Sequence, residues 1–174
     1  MTRYPIALFL LATVVGLSAC TTSEDEVEDA KKPVAVAAAL HAPATPDDKL
    51  WKPYLQQVVS QHMEGVTDRV FPYYLPINSR VVDPTASDGR TAFDRQAEGV
   101  TAAISRTVLP GNMLVFGSPD SATMADLMTS AFSGAKPTAL KGSQVLFVGK
   151  AEDSARVQPL VEAAGGKYIF VEAK

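Results

Sequence analysis

The chain has 174 residues, of which 47% are apolar and 20% charged, and its formal net charge is −3. That composition excludes a collagenous or wholly disordered polymer, and the negative balance argues against a nucleic-acid binder, which needs a basic surface to neutralise phosphate. The single cysteine, Cys20, excludes an internal disulfide and a Cys-rich zinc site. The apolar residues are spread unevenly. A short cationic start ending at Arg3 precedes an apolar run from Ile6 to Gly16, followed by Leu17-Ser18-Ala19-Cys20. The run is too short to cross a hydrocarbon core, which takes roughly 20 helical residues, and its zoning predicts a secretory signal over residues 1–19.

Leu17-Ser18-Ala19-Cys20 resembles the lipobox of bacterial lipoproteins, a leucine followed by two small residues and a cysteine. The resemblance covers residues 1–20 only. It implies that a diacylglycerol joins the Cys20 thiol and that the chain is cut just before it, leaving 155 residues that begin at the acylated cysteine and carry a net charge near −4. A plain signal peptide cut after Ala19 is the other reading, and it leaves a free thiol in an oxidising compartment, which is a liability. One acyl chain holds weakly, at about 0.8 kcal/mol per buried methylene, whereas the several chains expected of this class anchor stably. Thr21 rather than Asp follows the cysteine. Under the bacterial retention rule, the resemblance then implies an outer membrane lipoprotein of the inner leaflet, facing the periplasm. Cys20→Ala is expected to abolish palmitate labelling and membrane partitioning.

Residues 20–46 read as a disordered tether carrying Glu24, Asp25, Glu26, Glu28 and Asp29, then Lys31-Lys32, then an Ala/Pro stretch. Few aromatic or branched residues occur there, so little apolar burial offsets the cost of ordering. As a flexible coil the spacer would span about 25 to 30 Å. The acidic cluster serves either to solvate the tether or to dock a basic partner.

A single globular domain is expected over 47–174. Asp47-Asp48 predicts a helix start, and Trp51, Leu55, Val58, Val59, His62 and Val66 form one apolar face that ends near Gly65. Val70 to Pro76 and Ser79 to Val82 read as extended. Pro72 confines the first of them to a sheet edge or a non-strand path. A second helical stripe runs through Phe93, Ala97, Val100, Thr101, Ile104 and Val108, and Pro110-Gly111 ends it. Met113–Phe116, Gln144–Val148 and Lys167–Val171 are apolar strand-type runs separated by helical patterns over Ala122–Phe132 and Ala155–Ala164. The expected fold class is therefore α/β, a small three-strand, mainly parallel βαβαβ sheet in the C-terminal half. It packs with two amphipathic helices and a Pro-rich extended segment from the N-terminal half.

Asp120-Ser121-Ala122 recurs 33 residues later as Asp153-Ser154-Ala155, with Leu127 matched by Leu160 and Ala131 by Ala164, which suggests two copies of one strand-turn-helix unit. Pro159 places the start of the last helix near Gln158. Leu140–Gly149 followed by Ala164-Gly165-Gly166 resembles the opening strand-helix-strand of a BRCT domain over those residues alone. Such domains belong inside cells, and any βαβ unit yields the same pattern of helix-ending glycines and apolar strands.

Ligands of open parallel sheets bind beyond the carboxyl ends of the strands. Those ends are Gly117-Ser118-Pro119-Asp120-Ser121 and Gly149-Lys150-Ala151-Glu152-Asp153-Ser154, whose shared Asp-Ser reads as two equivalent helix caps. Ser118, Asp120 and Ser121 have the parts of an anion seat, but Ser and Asp are also the usual helix caps, and a carboxylate repels an anion. Two histidines, His41 and His62, without a carboxylate at ligand spacing, give poor support for a metal, and no cofactor is implied. His62 with Asp68 or Glu64 is a general-base candidate, yet Ser60 two residues away points elsewhere on a helix. The densest polar-aromatic region runs from Arg69 to Arg106. In it Arg69, Tyr73, Tyr74 and Arg80 suit recognition of carboxylates or peptide, and nearby acids supply ordinary ion pairing as the other reading.

The sequence thus predicts a membrane-tethered periplasmic lipoprotein, held to the bilayer by its acylated N-terminus, that binds or scaffolds an envelope protein or peptide. It leans away from an enzyme. The alternatives are an envelope hydrolase or carbohydrate-binding protein using the strand-end loops, and an immunity-type inhibitor of a secreted toxin. Convergent polar groups around His62 or Ser118 would favour the enzyme, and an open Arg/Tyr patch would favour the binder.

Overall fold

A computed structural model describes residues 40–85 and 87–174. The expected signal segment, Cys20 and the acidic stretch lie outside the described residues. Along the described chain the elements are α1 (Asp48–Gln61), β1 (Val70–Tyr74), α2 (Ala92–Ser105), β2 (Met113–Gly117), α3 (Ser121–Phe132), β3 (Gln144–Gly149), α4 (Ala151–Ala163) and β4 (Lys167–Glu172). The fold is α/β, as expected, but with four parallel strands rather than three, in the order β1-β2-β3-β4. The Pro-rich segment supplies the fourth. It pairs with β2 from Val70↔Met113 to Tyr74↔Gly117 and lies at the sheet edge. Ser79 to Val82, expected to be extended, instead turns and contributes one antiparallel bridge, Val82↔Thr91.

The strand sequences explain the two cores. Met-Leu-Val-Phe and Val-Leu-Phe-Val are apolar at every position, the signature of strands buried on both faces. Successive side chains alternate. Leu114, Phe116, Val145 and Phe147 meet α2, α3 and α4 on one face. Met113, Val115, Leu146 and Val148 meet Trp51, Tyr54, Leu55 and Val58 of α1 on the other. Helix α1 runs antiparallel to the strands: Tyr74 at the end of β1 donates its hydroxyl to Asp48, while Gln144 at the start of β3 donates to the Glu64 carbonyl beyond the other end of α1.

Several local expectations need correcting. Residues 40–46, assigned to the tether, contact the folded unit: Leu40 and Ala42 pack on the α1 face, the Ala42 amide donates to the Lys174 carbonyl at 2.7 Å, and the Trp51 indole donates to the Thr45 carbonyl. Helix α4 starts at Ala151, not near Gln158, and contains Pro159 on its exposed side. Burial of Asp153, Ser154 and Val157 holds its first turns despite the proline.

The repeat is real in architecture but its offset is 30 residues in the helices and 31 in the strands, not 33. Buried Thr123, Met124, Leu127 and Ala131 of α3 correspond to buried Asp153, Ser154, Val157 and Val161 of α4. The matching Asp-Ser pairs therefore do different jobs. Asp120 is the N-cap of α3, whereas Asp153 lies inside the first turn of α4 and is buried there.

Candidate functional site

The strand-end loop after β2 is closed on itself. Ser118 is buried, and its hydroxyl accepts from the Asp120 amide. Asp120 accepts from the Thr123 amide at 3.1 Å and the Thr123 hydroxyl at 2.7 Å, the capping arrangement. Burial opposes the Asp120 charge, but these bonds, the Ala122 amide and the nearby Arg80 outweigh it and hold the carboxyl below its ordinary range. The Ser121 hydroxyl accepts from the Lys150 amide, tying this loop to the next one. The glycines are small for the protein's own side chains: a Cβ on Gly117 would lie 2.5 Å from a Leu55 methyl, and one on Gly149 would collide with the Ser121 hydroxyl. All three polar residues of the expected anion seat are thus used internally.

The Arg/Tyr constellation does not assemble. Tyr73 and Tyr74 are neighbours on a strand and project to opposite faces. Tyr73 stacks on Phe116 under the α2–α3 layer, with ring centroids 5.0 Å apart. On the other side Tyr74 donates to Asp48 at 2.9 Å and lies near Lys52, and burial together with Asp48 pushes its phenol far above the ordinary value. Arg80 lies over the Phe93 ring and pairs with Asp126 at 2.8 Å, which also takes Arg156 at 2.6 Å. Arg90 pairs with Glu98 and Arg95 with Asp88. Ordinary ion pairing accounts for these arginines. Of the four residues of this Arg/Tyr constellation, Arg69 alone has a largely free side chain, 77% exposed, with Asp68 only at 3.9 Å.

His62 caps the end of α1, with Nδ1 2.7 Å from the Val58 carbonyl, and the Ser60 hydroxyl donates to the Gln56 carbonyl. Neither converges on a third group. Among the described residues no cluster of His, Cys, Asp and Glu is placed to hold a metal, and no helix is long and apolar enough to cross a membrane.

Sequence reasoning missed the surface that the described residues leave open, the outer side of β1. The bonds Met113 N–H to Arg69 C=O and Leu75 N–H to Gly117 C=O show that residues 69, 71, 73 and 75 turn their backbone groups toward β2. Val70, Pro72 and Tyr74 therefore turn theirs outward. Pro72 occupies a position where its missing N–H costs the sheet nothing, which is why a proline is tolerated here. An open groove flanks this edge on each face. The first, about 460 Å³, is lined by Arg69, Phe71, Tyr73, Ala103, Thr107 and Leu109. The second, about 550 Å³, is lined by Lys52, Leu55, Val59, Val70, Pro72 and Tyr74. Thr107, at the rim of the first, holds φ 66°, a left-handed conformation unfavourable for a β-branched residue. Pro72 was the available signal for an edge; the grooves were not readable, because they arise from where α1 and α2 settle. No known protein family, curated protein or solved structure matches the chain.

Proposed function

We propose that the chain is a membrane-tethered lipoprotein, acylated at Cys20 and held on the periplasmic leaflet of the outer membrane. Its α/β domain acts there as a binding or scaffold module for an envelope protein or peptide. The lipobox supports the location. The free edge of β1 between its two apolar grooves is the observation that carries the binding role. An added strand gains main-chain hydrogen bonds from the edge, while alternate side chains enter the groove on either face. The fitting occupant is an extended segment with apolar residues on both faces. It must offer an N–H to the Pro72 carbonyl, which returns none, and a carboxylate near Arg69 suits the exposed guanidinium.

Selection from a random peptide library against the full chain, followed by amide chemical-shift mapping, tests this role. Period-two apolar peptides that shift the Val70 and Tyr74 amides, and lose at least tenfold in affinity against Val59→Lys, are the expected result. Selected peptides that shift amides elsewhere, or a selection that enriches none, would overturn it.

A further inference from the structure

The carboxyl end of the sheet gathers exposed apolar side chains that the core does not use. Ile77, Val81 and Val82, in the loop after β1, and Leu50, in the first turn of the antiparallel α1, are all about half exposed or more. This loop is fastened rather than loose: the Phe93 amide donates to the Ser79 carbonyl, Val82 bridges Thr91, and Asp83 is turned back onto the Thr85 amide and hydroxyl. Its apolar side chains are therefore held outward by a built turn. Ile77, Val81 and Val82 fall within six residues of one turn, and exposed apolar side chains so placed suit a contact surface.

The path of the chain says what covers that end. The Ala42 amide bonds to the Lys174 carbonyl, just past β4, so the segment leading from Cys20 joins the domain at the same carboxyl end. Nineteen residues separate Cys20 from Leu40, and the tether expected from their composition would span about 25 Å if it behaved as a coil. A domain held that close to a bilayer by that end meets lipid at a high effective concentration, so a small apolar contact suffices.

We infer that the carboxyl end of the sheet is the membrane-facing end, with Ile77, Val81 and Val82 resting in the lipid interface. The amino end, with Leu109, then points away from the bilayer. The orientation rests on the lipoprotein reading of Cys20 and leaves the β1 edge free to receive a partner from the side.

The test uses the full chain made with its own leader, purified from membranes and reconstituted into phosphatidylethanolamine and phosphatidylglycerol vesicles with or without brominated acyl chains. Val81 and Leu109 are equally exposed, at 65%, and sit at opposite ends, so Val81→Trp and Leu109→Trp form a matched pair. With the signal of buried Trp51 subtracted, the tryptophan at 81 is expected to lose at least half its emission to brominated lipid, and that at 109 to lose none. Equal quenching, or none at 81, overturns the orientation. The mass of the N-terminal peptide separates the two failures. A diacylglycerol on Cys20 without quenching sinks the orientation alone, and an unmodified Cys20 sinks the lipoprotein reading with it.

Discussion

The two edge strands occupy equivalent places and are finished differently. On β4, Tyr168 and Phe170 pack beneath α4 and Ile169 and Val171 against the α1 side, so all four central residues are half-buried, whereas Phe71 and Pro72 of β1 are exposed. Tyr168 shares a hydrogen bond with Ser154 at 2.9 Å, and burial pushes its phenol up to about 12. On β1 both faces open into grooves, because α2 packs chiefly against α3 and α1 sits over the central strands. Backbone pairing is the same at both edges. The difference lies in which helix leans on which strand, so openness at a sheet edge is a property of the helical layers.

The contrast can be broken from the core outward. Phe147 stacks on Phe170 of β4 as Phe116 stacks on Tyr73 of β1. Both central rings are fully buried, so Phe147→Ala and Phe116→Ala should each cost about 3 to 5 kcal/mol in urea unfolding. Similar losses at the two would show that the sheet centre is symmetric and only its edges differ. Gly117→Ala should cost about 1 to 3 kcal/mol by forcing Leu55 aside, and should widen or close the groove that Leu55 lines. An unchanged midpoint would mean that α1 is loosely seated.

Asp120→Ala removes a helix cap and should cost about 1 kcal/mol near neutral pH. The folded Asp120 carboxyl sits below its ordinary value, so its contribution is fully present above the unfolded value near 4 and fades as pH falls through the folded one. The mutant and the parent should therefore converge in acid. A gap that persists below pH 2 would show that the loss is packing and not charge. Ala42→Pro deletes the bond to Lys174 and should raise hydrogen exchange at the end of β4 while leaving β1 unchanged, with a loss of about 0.5 to 1.5 kcal/mol. Arg80→Ala is expected to change stability by about 1 kcal/mol or less, since its ion pair with Asp126 is half exposed.

The apolar runs of β2 and β3 were legible as strands, and the Asp120 cap was legible because Asp before an apolar periodic run has few other uses. Thr101, placed on the apolar stripe of α2, is exposed and turns its hydroxyl to the Ala97 carbonyl, while Tyr54, which the stripe of α1 passed over, is buried. Periodicity gives a face but not its width. Arg69, Tyr73, Tyr74 and Arg80 looked like one patch because they are close in sequence, yet strand alternation sends the two tyrosines apart and Asp126, 46 residues away, takes Arg80.

By itself the sequence determined the main periodicities and the caps at Asp47 and Asp120, because those follow from interactions between residues a few positions apart. It also carries Leu17-Ser18-Ala19-Cys20, whose resemblance to a lipobox is a matter of linear order alone. Only the tertiary structure decided that the Pro-rich segment joins the sheet, that Asp153 is buried while Asp120 caps, and that β1 rather than β4 stays open. Each of these depends on which distant element fills the space beside a residue, and packing of that kind leaves no mark on local spacing.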